Sequence, residues 1–387
     1  MASTCPKEAL EGRLRRRSRF GCRNCKLRKL KCDESKPRCR RCSSFGVLCN
    51  FMPNVADLQS VSGGTIRTSV AQERAELQPH LTNAVWTSDG CYQYHLNTKC
   101  QQFVTRYLGR SLINPDDPKM MEVNGKLLGL AFEYPFLMHA SLAVALAYDR
   151  HLNNSSIGSR RTVEECYHWS QSTILFNRAL RQPVRAKDKD SIWGTAAALA
   201  ILAFCSPDAC APEESWPLKL SDTDWEWLRM SKGKMSLWSI INPLRLDSLF
   251  RVMAATYADM HSPLPEGGID GISRDLAAVC QLEDSSTAEN PYFHAAHAIS
   301  QLLTLPDSQV TVGQTELFTR SIHGPFESLL REKDPVALLL LYLWYRKAAR
   351  SIWWIKLRAR VECPAICSYL RLHYNDYGAI HAFLTEN

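Results

Sequence analysis

Apolar residues beyond about residue 120 recur at the spacing of helices, and few segments alternate as a strand would. Seven segments favour helix by their length, their alanine and leucine content or their apolar spacing: residues 127–152, 163–181, 191–205, 244–260, 291–303, 315–330 and 335–360. Pro135 should break or kink the first segment. Asn242-Pro243 and Asp334-Pro335 each pair a capping residue with a first-turn proline, so we expect helices to begin there.

The polar segment before these helices has the composition of a linker. Residues 52–85 contain no Phe, Trp or Tyr, and Ser62-Gly63-Gly64-Thr65 lies within them. This composition favours a flexible chain, and the two glycines would break a coiled coil. We therefore predict a linker over residues 52–90, followed by a large all-α domain over residues 91–387. Any homodimer would form through that helical domain.

Two apolar segments invite comparison with a membrane span. Residues 192–204 and 335–345 both fall well short of the roughly 20 residues that a spanning helix needs. We expect both to be buried core helices and predict no membrane span.

Net positive charge is confined to the start of the chain. Residues 1–50 carry fifteen Lys or Arg and four Asp or Glu, whereas the remaining residues carry 32 and 35. Such a basic segment suits the release of counterions from DNA phosphates. A basic N-terminal arm is predicted over residues 1–19, and its arginines are typical of a nuclear import patch: Arg13, Arg15, Arg16, Arg17 and Arg19.

Six cysteines follow in a pattern that occurs twice. Two cysteines separated by two residues are followed, after six more residues, by a third, and the set is Cys22, Cys25, Cys32, Cys39, Cys42 and Cys49. Thiolates suit Zn²⁺, which is usually bound by four ligands in a tetrahedron. Two ions need eight bonds, and no histidine precedes His80. The count therefore closes for two ions only if two thiolates bridge them.

A disulfide-bonded fragment and a mononuclear zinc site with two idle thiols are the alternatives to this binuclear cluster. No signal peptide is recognised in the sequence, and cysteine-rich patterns in reducing compartments are typical of metal sites. We therefore predict a small metal-stabilised module over residues 20–51 that holds two Zn²⁺.

The segment from Gly21 to Cys49, GCRNCKLRKLKCDESKPRCRRCSSFGVLC, resembles the fungal Zn2Cys6 transcription factors along its whole length. The resemblance implies that Cys22 and Cys39 are the bridging ligands. It also implies the terminal ligands of each ion, Cys25 with Cys32 and Cys42 with Cys49. A cis peptide bond before Pro37 is a further implication.

Four cations lie between the second and third cysteines, separated by Leu27 and Leu30. One helical turn would place both leucines against the cluster and the cations outward. In related proteins this helix enters the major groove, and the resemblance implies that Lys29 reads the two acceptors of guanine in a CGG-like triplet. Other cations are predicted to contact phosphates, which position the module without specifying sequence: Arg28, Lys26, Lys31, Arg40 and Arg41.

A second, looser resemblance lies in the helical domain. Residues 132–143, FEYPFLMHASLA, are similar to the regulatory domain of fungal Zn2Cys6 proteins, notably the sterol uptake control group. The similarity implies that the helical domain binds a sterol or another hydrophobic effector and thereby regulates activity. Ordinary core packing is the alternative interpretation of these apolar residues.

Motifs for catalysis are sparse. Ser231-Lys232-Gly233-Lys234 fits S-x-x-K, but the S-D-N and K-T-G motifs that accompany it in enzymes do not follow. We interpret His139 as a hydrogen-bonded core histidine, and Cys363 and Cys367 as thiols without a second ligand pair.

These features together predict a sequence-specific transcription factor for RNA polymerase II that acts in the nucleus and is not an enzyme. Its predicted partners are double-stranded DNA and the transcription machinery or co-regulators. The alternative is a zinc-dependent protein-interaction module that does not read bases.

Overall fold

A computed structural model describes residues 19–27, 30–45, 49–51, 85–87, 93–95, 118–153, 160–322 and 324–384 of the chain. The chain divides into two compact units, Met1–Gln101 and Gln102–Asn387, and each is considered by itself. The boundaries of the arm, zinc module, linker and helical domain stay predictions, because most residues between 52 and 117 lie outside the described ranges.

The described residues of the N-terminal unit form two short helices among the cysteines and one hairpin. Helices α1, Arg23–Leu27, and α2, Arg40–Phe45, occupy equivalent places in the repeated cysteine pattern. Strands β1, Val85–Thr87, and β2, Gln93–His95, pair antiparallel. The hairpin was not predicted, because strands of three residues are too short to show a period of two.

The second unit is mostly helical, as predicted, and the described residues from 118 to 384 contain one isolated bridge, Gly267 with Thr287, but no longer strand. Its α-helices are α3 Pro118–Glu133, α4 Pro135–Asn153, α5 Val163–Leu180, α6 Lys189–Cys205, α7 Glu226–Ser236, α8 Trp238–Ile241, α9 Ala254–Met260, α10 Arg274–Val279, α11 Phe293–Thr304, α12 Val312–Ser321, α13 Pro325–Arg331, α14 Pro335–Ala348, α15 Trp353–His373 and α16 Gly378–His381. Short 3₁₀ helices lie at Ala186–Asp188, Pro212–Glu214, Leu249–Met253 and Asp307–Gln309.

Helix α4 lies at the centre of the helical unit. Fourteen of its nineteen residues are buried, because it packs against α3, α5 and α6 rather than through a single face. Its first turn is tied to α5, where the Ser172 hydroxyl donates a hydrogen bond of 2.8 Å to the Phe136 carbonyl. A second core pair is formed by α14 and α15.

Several predictions about these helices are confirmed. The chain leaves the helix at Tyr134, immediately before Pro135, so the first predicted segment is two helices. The Asp334 carboxylate accepts hydrogen bonds from the backbone N–H groups of Val336 at 3.0 Å and Ala337 at 2.9 Å, and thereby caps α14. The two apolar segments form buried parts of α6 and α14. Among the described residues, no helix is both long and apolar enough to cross a bilayer.

The prediction of one helix over residues 244–260 is wrong in its first half, where the chain forms turns and a 3₁₀ helix before α9. Asn242 ends helix α8 instead of starting a new helix. Its backbone is left-handed, with φ of 46°, and its N–H donates to the Trp238 carbonyl at 2.8 Å. Asparagine suits this position because it tolerates left-handed backbone better than most residues.

Two further predicted helices are divided. Residues 315–330 span α12 and α13, and the left-handed Gly324, with φ of 56°, precedes the second helix. Residues 335–360 span α14 and part of α15. Between those helices the Ser351 hydroxyl donates a hydrogen bond of 2.6 Å to the Asp307 carbonyl, a contact from outside the segment. Helix α15 then continues beyond the predicted end and contains Pro364.

Candidate metal centre and nucleic-acid interface

The six predicted cysteines form their own small core in the N-terminal unit. All six are buried, and Phe51 packs against them. The sulfur atom of Cys22 lies 3.8 Å from that of Cys39 and 3.5 Å from that of Cys42. The Cys25 and Cys39 sulfurs are 3.7 Å apart.

These distances fit zinc. A Zn–S bond of about 2.3 Å places the ligands of a tetrahedral ion about 3.8 Å apart. Two sets of four sulfurs, each set within 4.8 Å, satisfy this condition: Cys22, Cys25, Cys32 and Cys39, and Cys22, Cys39, Cys42 and Cys49. The sets share Cys22 and Cys39, so the geometry allows two ions to use six thiolates.

The local folding of the two halves is equivalent. Helix α1 begins immediately after Cys22, and α2 begins immediately after Cys39. The Cys25 N–H lies 3.4 Å from the Cys22 sulfur, and the Cys42 N–H lies 3.3 Å from the Cys39 sulfur. Each shared thiol therefore accepts the N–H three residues later, as an N-cap side chain does.

Polar side chains outside the cysteine set join the halves, and none was predicted as part of the site. The buried Asn50 side-chain oxygen accepts a hydrogen bond of 2.7 Å from the Asn24 N–H. Asp33 accepts from the Arg40 N–H at 3.1 Å and from the Ser35 hydroxyl at 2.7 Å. Their positions next to ligand cysteines are the only sequence signal that could have indicated them.

Burial opposes ionisation of the thiols when no cation is present. It is the largest cause of the raised pKa of Cys25, to about 12, and of Cys49, to about 11. Metal binding must therefore displace protons, and zinc affinity should fall as the pH is lowered.

The predicted DNA-contacting cations are only partly described. The side chains of Lys26, Lys31, Arg40 and Arg41 are exposed, and so is that of Arg19. The remaining cations of the prediction lie outside the described residues: Arg13, Arg15, Arg16, Arg17, Arg28 and Lys29.

The prediction that Leu27 and Leu30 pack on the cluster is wrong. Leu27 is 55% exposed and Leu30 is 46% exposed. Helix α1 ends at Leu27, so Leu30 lies outside it and the two leucines do not share the predicted helical turn. Phe51 packs against the cysteines instead. The predicted cis peptide bond between Lys36 and Pro37 is present.

The S-x-x-K sequence, His139 and the cysteine pair Cys363 and Cys367 lie in the helical unit, away from the cysteine cluster in sequence. In the S-x-x-K sequence, the intervening Lys232 forms an ion pair of 2.6 Å with Glu327, and Ser231 and Lys234 line an apolar cavity. The buried His139 makes a hydrogen bond of 2.8 Å between its Nδ1 and that of His168, which confirms the core interpretation. Cys363 is buried and Cys367 is half-buried.

Comparison with known proteins gives the same class of module. Residues 20–56 match the fungal Zn(2)-Cys(6) binuclear cluster domain. A Zn(2)-C6 fungal-type transcription factor of Gibberella zeae is 22% identical over 92% of this chain and 82% of its own. The Zn(2)-C6 fungal-type transcription factor afumD of Aspergillus fumigatus is 24% identical over 84% of this chain and 83% of its own. Sterol uptake control protein 2 of Saccharomyces cerevisiae is 49% identical, but over only 10% of this chain and 4% of its own.

The cysteine geometry and the match over residues 20–56 show a fungal Zn2Cys6 binuclear cluster domain, and the relatives support a fungal Zn2Cys6 factor. It is a DNA-binding transcription regulator, and its cluster domain binds two zinc ions. Its relatives are transcription factors, which are typically not enzymes and which imply a nuclear location.

Proposed function

We propose that Cys22 and Cys39 bridge two zinc ions, with Cys25 and Cys32 completing one tetrahedron and Cys42 and Cys49 the other. The observation that supports this assignment is the sharing of Cys22 and Cys39 between the two sets of close sulfurs. Zinc supplies charge and cross-links here, while six thiolates leave neither tetrahedron an open position for a reactant. The module is therefore suited to presenting side chains rather than to catalysis.

The metallated module would bind DNA through its cations and read a CGG-like triplet through Lys29. Lys26 and Lys31, on either side of Lys29 in the sequence, are exposed, as are Arg40 and Arg41 at the start of α2. Exposed cations beside a rigid cluster suit phosphate contacts, and a lysine suits the two acceptors of guanine. Arg28 is assigned to phosphate with them, and the arginines from Arg13 to Arg19 to nuclear import.

Chelation tests whether DNA binding depends on the cluster. We expect the zinc-loaded chain to prefer a CGG-containing duplex over a scrambled duplex, and to lose that preference when a chelator removes zinc. Adding zinc back under reducing conditions should restore it. An equal affinity for both duplexes with two zinc ions bound would favour the protein-interaction module instead.

The helical unit is proposed to regulate the activity of the transcription factor. Binding of a hydrophobic effector such as a sterol to this unit is one way in which it would do so. An apolar cavity of about 100 Å³ lies between α6, α7, α9, α12, α14 and α15, with Trp193, Phe204 and Trp344 in its lining. This volume is below the roughly 300 Å³ at the lower end of small-molecule pockets. A sterol would therefore have to widen the cavity, which a sterol-dependent change in tryptophan fluorescence of the full chain would reveal. Co-regulators and a homodimer through this unit stay predictions.

A further inference from the structure

A second cavity of the helical unit is larger and has a different chemistry. It has a volume of about 310 Å³ and lies where the end of α4, the start of α5, the end of α6 and the middle of α15 meet. Four arginines line it: Arg150, Arg160, Arg161 and Arg360. Two carboxylates, Asp208 and Glu214, lie in the same wall, so the lining is basic overall.

Arg150 forms the floor of this cavity and is held in a fixed orientation. Only 7% of its side chain is exposed, and it forms a two-point ion pair with the fully buried Glu165, with distances of 3.1 Å and 2.9 Å. A third contact of 3.3 Å joins its Nη2 to the Ser206 hydroxyl. Such a buried ion pair is costly unless its geometry is good, and this geometry is good.

The rim cations are less constrained. Arg161 pairs with Asp208, but the two side chains are 28% and 46% exposed. An ion pair that is partly open to solvent contributes little to stability, so losing it to a bound anion would cost little. Arg160 is exposed, and within the described residues no ion pair is found for it. A bound anion could therefore recruit both guanidinium groups without breaking the pair in the floor.

The histidine next to Arg150 lies outside the cavity lining but is affected by some of the same cations. Burial, followed by the charges of Arg360, Lys356 and Arg150, lowers the pKa of His151 to about 4. Cations from α4 and α15 therefore both act on this histidine. Leu357 and Val361 of α15 add an apolar wall, which suits a ligand with a short carbon body.

We propose that this cavity binds a small organic dianion, a dicarboxylate or a phosphate ester, through Arg160 and Arg161 at its rim. Guanidinium groups match carboxylate and phosphate oxygens in paired hydrogen bonds. The volume lies at the lower end of the range for small-molecule sites, which limits the ligand to a compact metabolite.

The cavity also borders a junction that a ligand would stabilise. From the same stretch of α15, the buried Arg358 donates hydrogen bonds to the carbonyls of Phe204, at 2.6 Å, and Ala203, at 3.2 Å, at the end of α6. A dianion bound to Arg160 and Arg161 in this cavity would lie beside the junction of α6 and α15, and binding to the folded state raises its stability.

Protection of a cavity cysteine from alkylation tests this site directly. Cys210 lines the cavity and is half-buried, while Cys367 on α15 is also half-buried but does not line it. The zinc-loaded full chain is treated with iodoacetamide in succinate, in inorganic phosphate, or in sodium chloride of equal ionic strength. Labelling of each cysteine is followed by peptide mass spectrometry. With the anion at about four times its dissociation constant, labelling of Cys210 should slow about fivefold, because only unoccupied chains react.

Variants assign the effect to the rim. In the double variant Arg160→Gln and Arg161→Gln, succinate and phosphate should no longer protect Cys210. Arg251→Gln, which removes an exposed arginine far along the chain and outside the lining, should leave protection intact. An unchanged rate for Cys367 shows that the variants are folded. Equal protection by chloride, or protection that survives in the double variant, would overturn the proposal. Protection by phosphate alone would assign a phosphate-bearing ligand, and protection by succinate alone a dicarboxylate.

Discussion

At the scale of single residues, Cys22 and Cys39 differ from the other four cysteines of the cluster. Each belongs to both sets of close sulfurs, and each accepts the N–H of the third residue of the helix that follows it. Cys49 belongs to one set only and accepts an N–H from Cys39 at 3.3 Å. The shared thiols therefore connect the two proposed zinc sites to each other and to the backbone.

This difference predicts unequal effects of two conservative substitutions. Cys22→Ser removes a ligand from both proposed sites and should leave less than about one zinc per chain, whereas Cys49→Ser should retain about one. Metal analysis of the purified, reduced variants gives the ratio. If the two variants lose the same amount of zinc, Cys22 is not a bridging ligand.

A pair of lysine variants should distinguish a base-specific contact from a phosphate contact. Lys29→Ala should weaken binding to the preferred duplex by about 1–3 kcal/mol and barely affect random DNA, as a lost base contact does. The matched variant Lys31→Ala, at an exposed position, should weaken binding to every duplex and reduce the salt slope by about one. Competition titrations measure both quantities. Parallel losses on specific and random duplexes in both variants would show that Lys29 does not read a base.

The cluster was predictable from the sequence because its ligands lie close together in the chain at a regular spacing. Six cysteines with a repeated interval define a ligand count, and the resemblance to the fungal family implied the cis bond at Pro37. The Asn24 and Asn50 contact joins residues 26 positions apart, and nothing in either local sequence indicates the other. The exposure of Leu27 and Leu30 depends on how the enclosed cluster is covered, which apolar spacing does not reveal.

At the scale of elements, helices were predicted correctly where the sequence is rich in alanine and leucine or has helical apolar spacing. Their ends were missed where contacts with residues distant in sequence determine them. The cap at Asp334 lies next to a first-turn proline and was readable. The break after α14 coincides with contacts of Lys347, Arg350 and Ser351 to Asp307, which is distant in sequence. The helix propensities of nearby residues do not depend on contacts with residues that are distant in sequence, so they could not predict this break.

Packing between α9 and α12 predicts opposite effects of two glycine-to-alanine substitutions. A Cβ at Gly313 would lie 2.4 Å from the Thr256 carbonyl oxygen, whereas a Cβ at Gly233 on α7 would meet no heavy atom within 4 Å. Gly313→Ala should destabilise the fold by about 1–3 kcal/mol through overpacking. Gly233→Ala should stabilise it by about 0.5–1 kcal/mol, because glycine is a poor helix former. Urea unfolding with equal slopes measures both, and a loss of stability in Gly233→Ala would contradict this account of helix α7.

The histidine pair between α4 and α5 predicts sensitivity to acid. Burial lowers the pKa of both His139 and His168, that of His168 to about 4. An unfolded histidine titrates near 6.5, so between about pH 6.5 and 4 the unfolded chain binds protons that the folded chain excludes. Stability should therefore fall as the pH falls through this window, by about 1.4 kcal/mol per pH unit for each such group.

A substitution checks this assignment. In His168→Gln the acid slope of the free energy of unfolding should be shallower, because one excluded proton is gone. His294→Gln, at an exposed histidine of α11, is the matched control and should leave the slope unchanged. Urea titrations at several pH values give both slopes, and equal slopes in His168→Gln and the unsubstituted protein would remove the pair as the cause.

At the scale of the whole molecule, the two units are stabilised by different means. The N-terminal unit surrounds six thiols that need metal, while the helical unit buries large apolar side chains such as Trp344, Phe293 and Phe318. Positive charge is concentrated in the first 50 residues, and the rest of the chain has a small negative excess. The contribution of charge to DNA binding should therefore come from the zinc module and its arm.

The dependence of DNA affinity on salt tests this distribution of charge and the number of chains bound. If the five predicted phosphate contacts act from one chain, the logarithm of affinity should fall with the logarithm of salt concentration with a slope of about −4.5, since each contact contributes about −0.9. Without a heptad to fix a dimer, we expect one chain on a single CGG-containing half-site. Light scattering of the complex counts the chains, and replacing Arg13, Arg15, Arg16 and Arg17 by glutamine shows whether the arm adds to the slope. A slope near −9 with two chains per duplex would instead indicate a dimer, and its loss on truncation before residue 91 would locate the dimer contact in the helical domain.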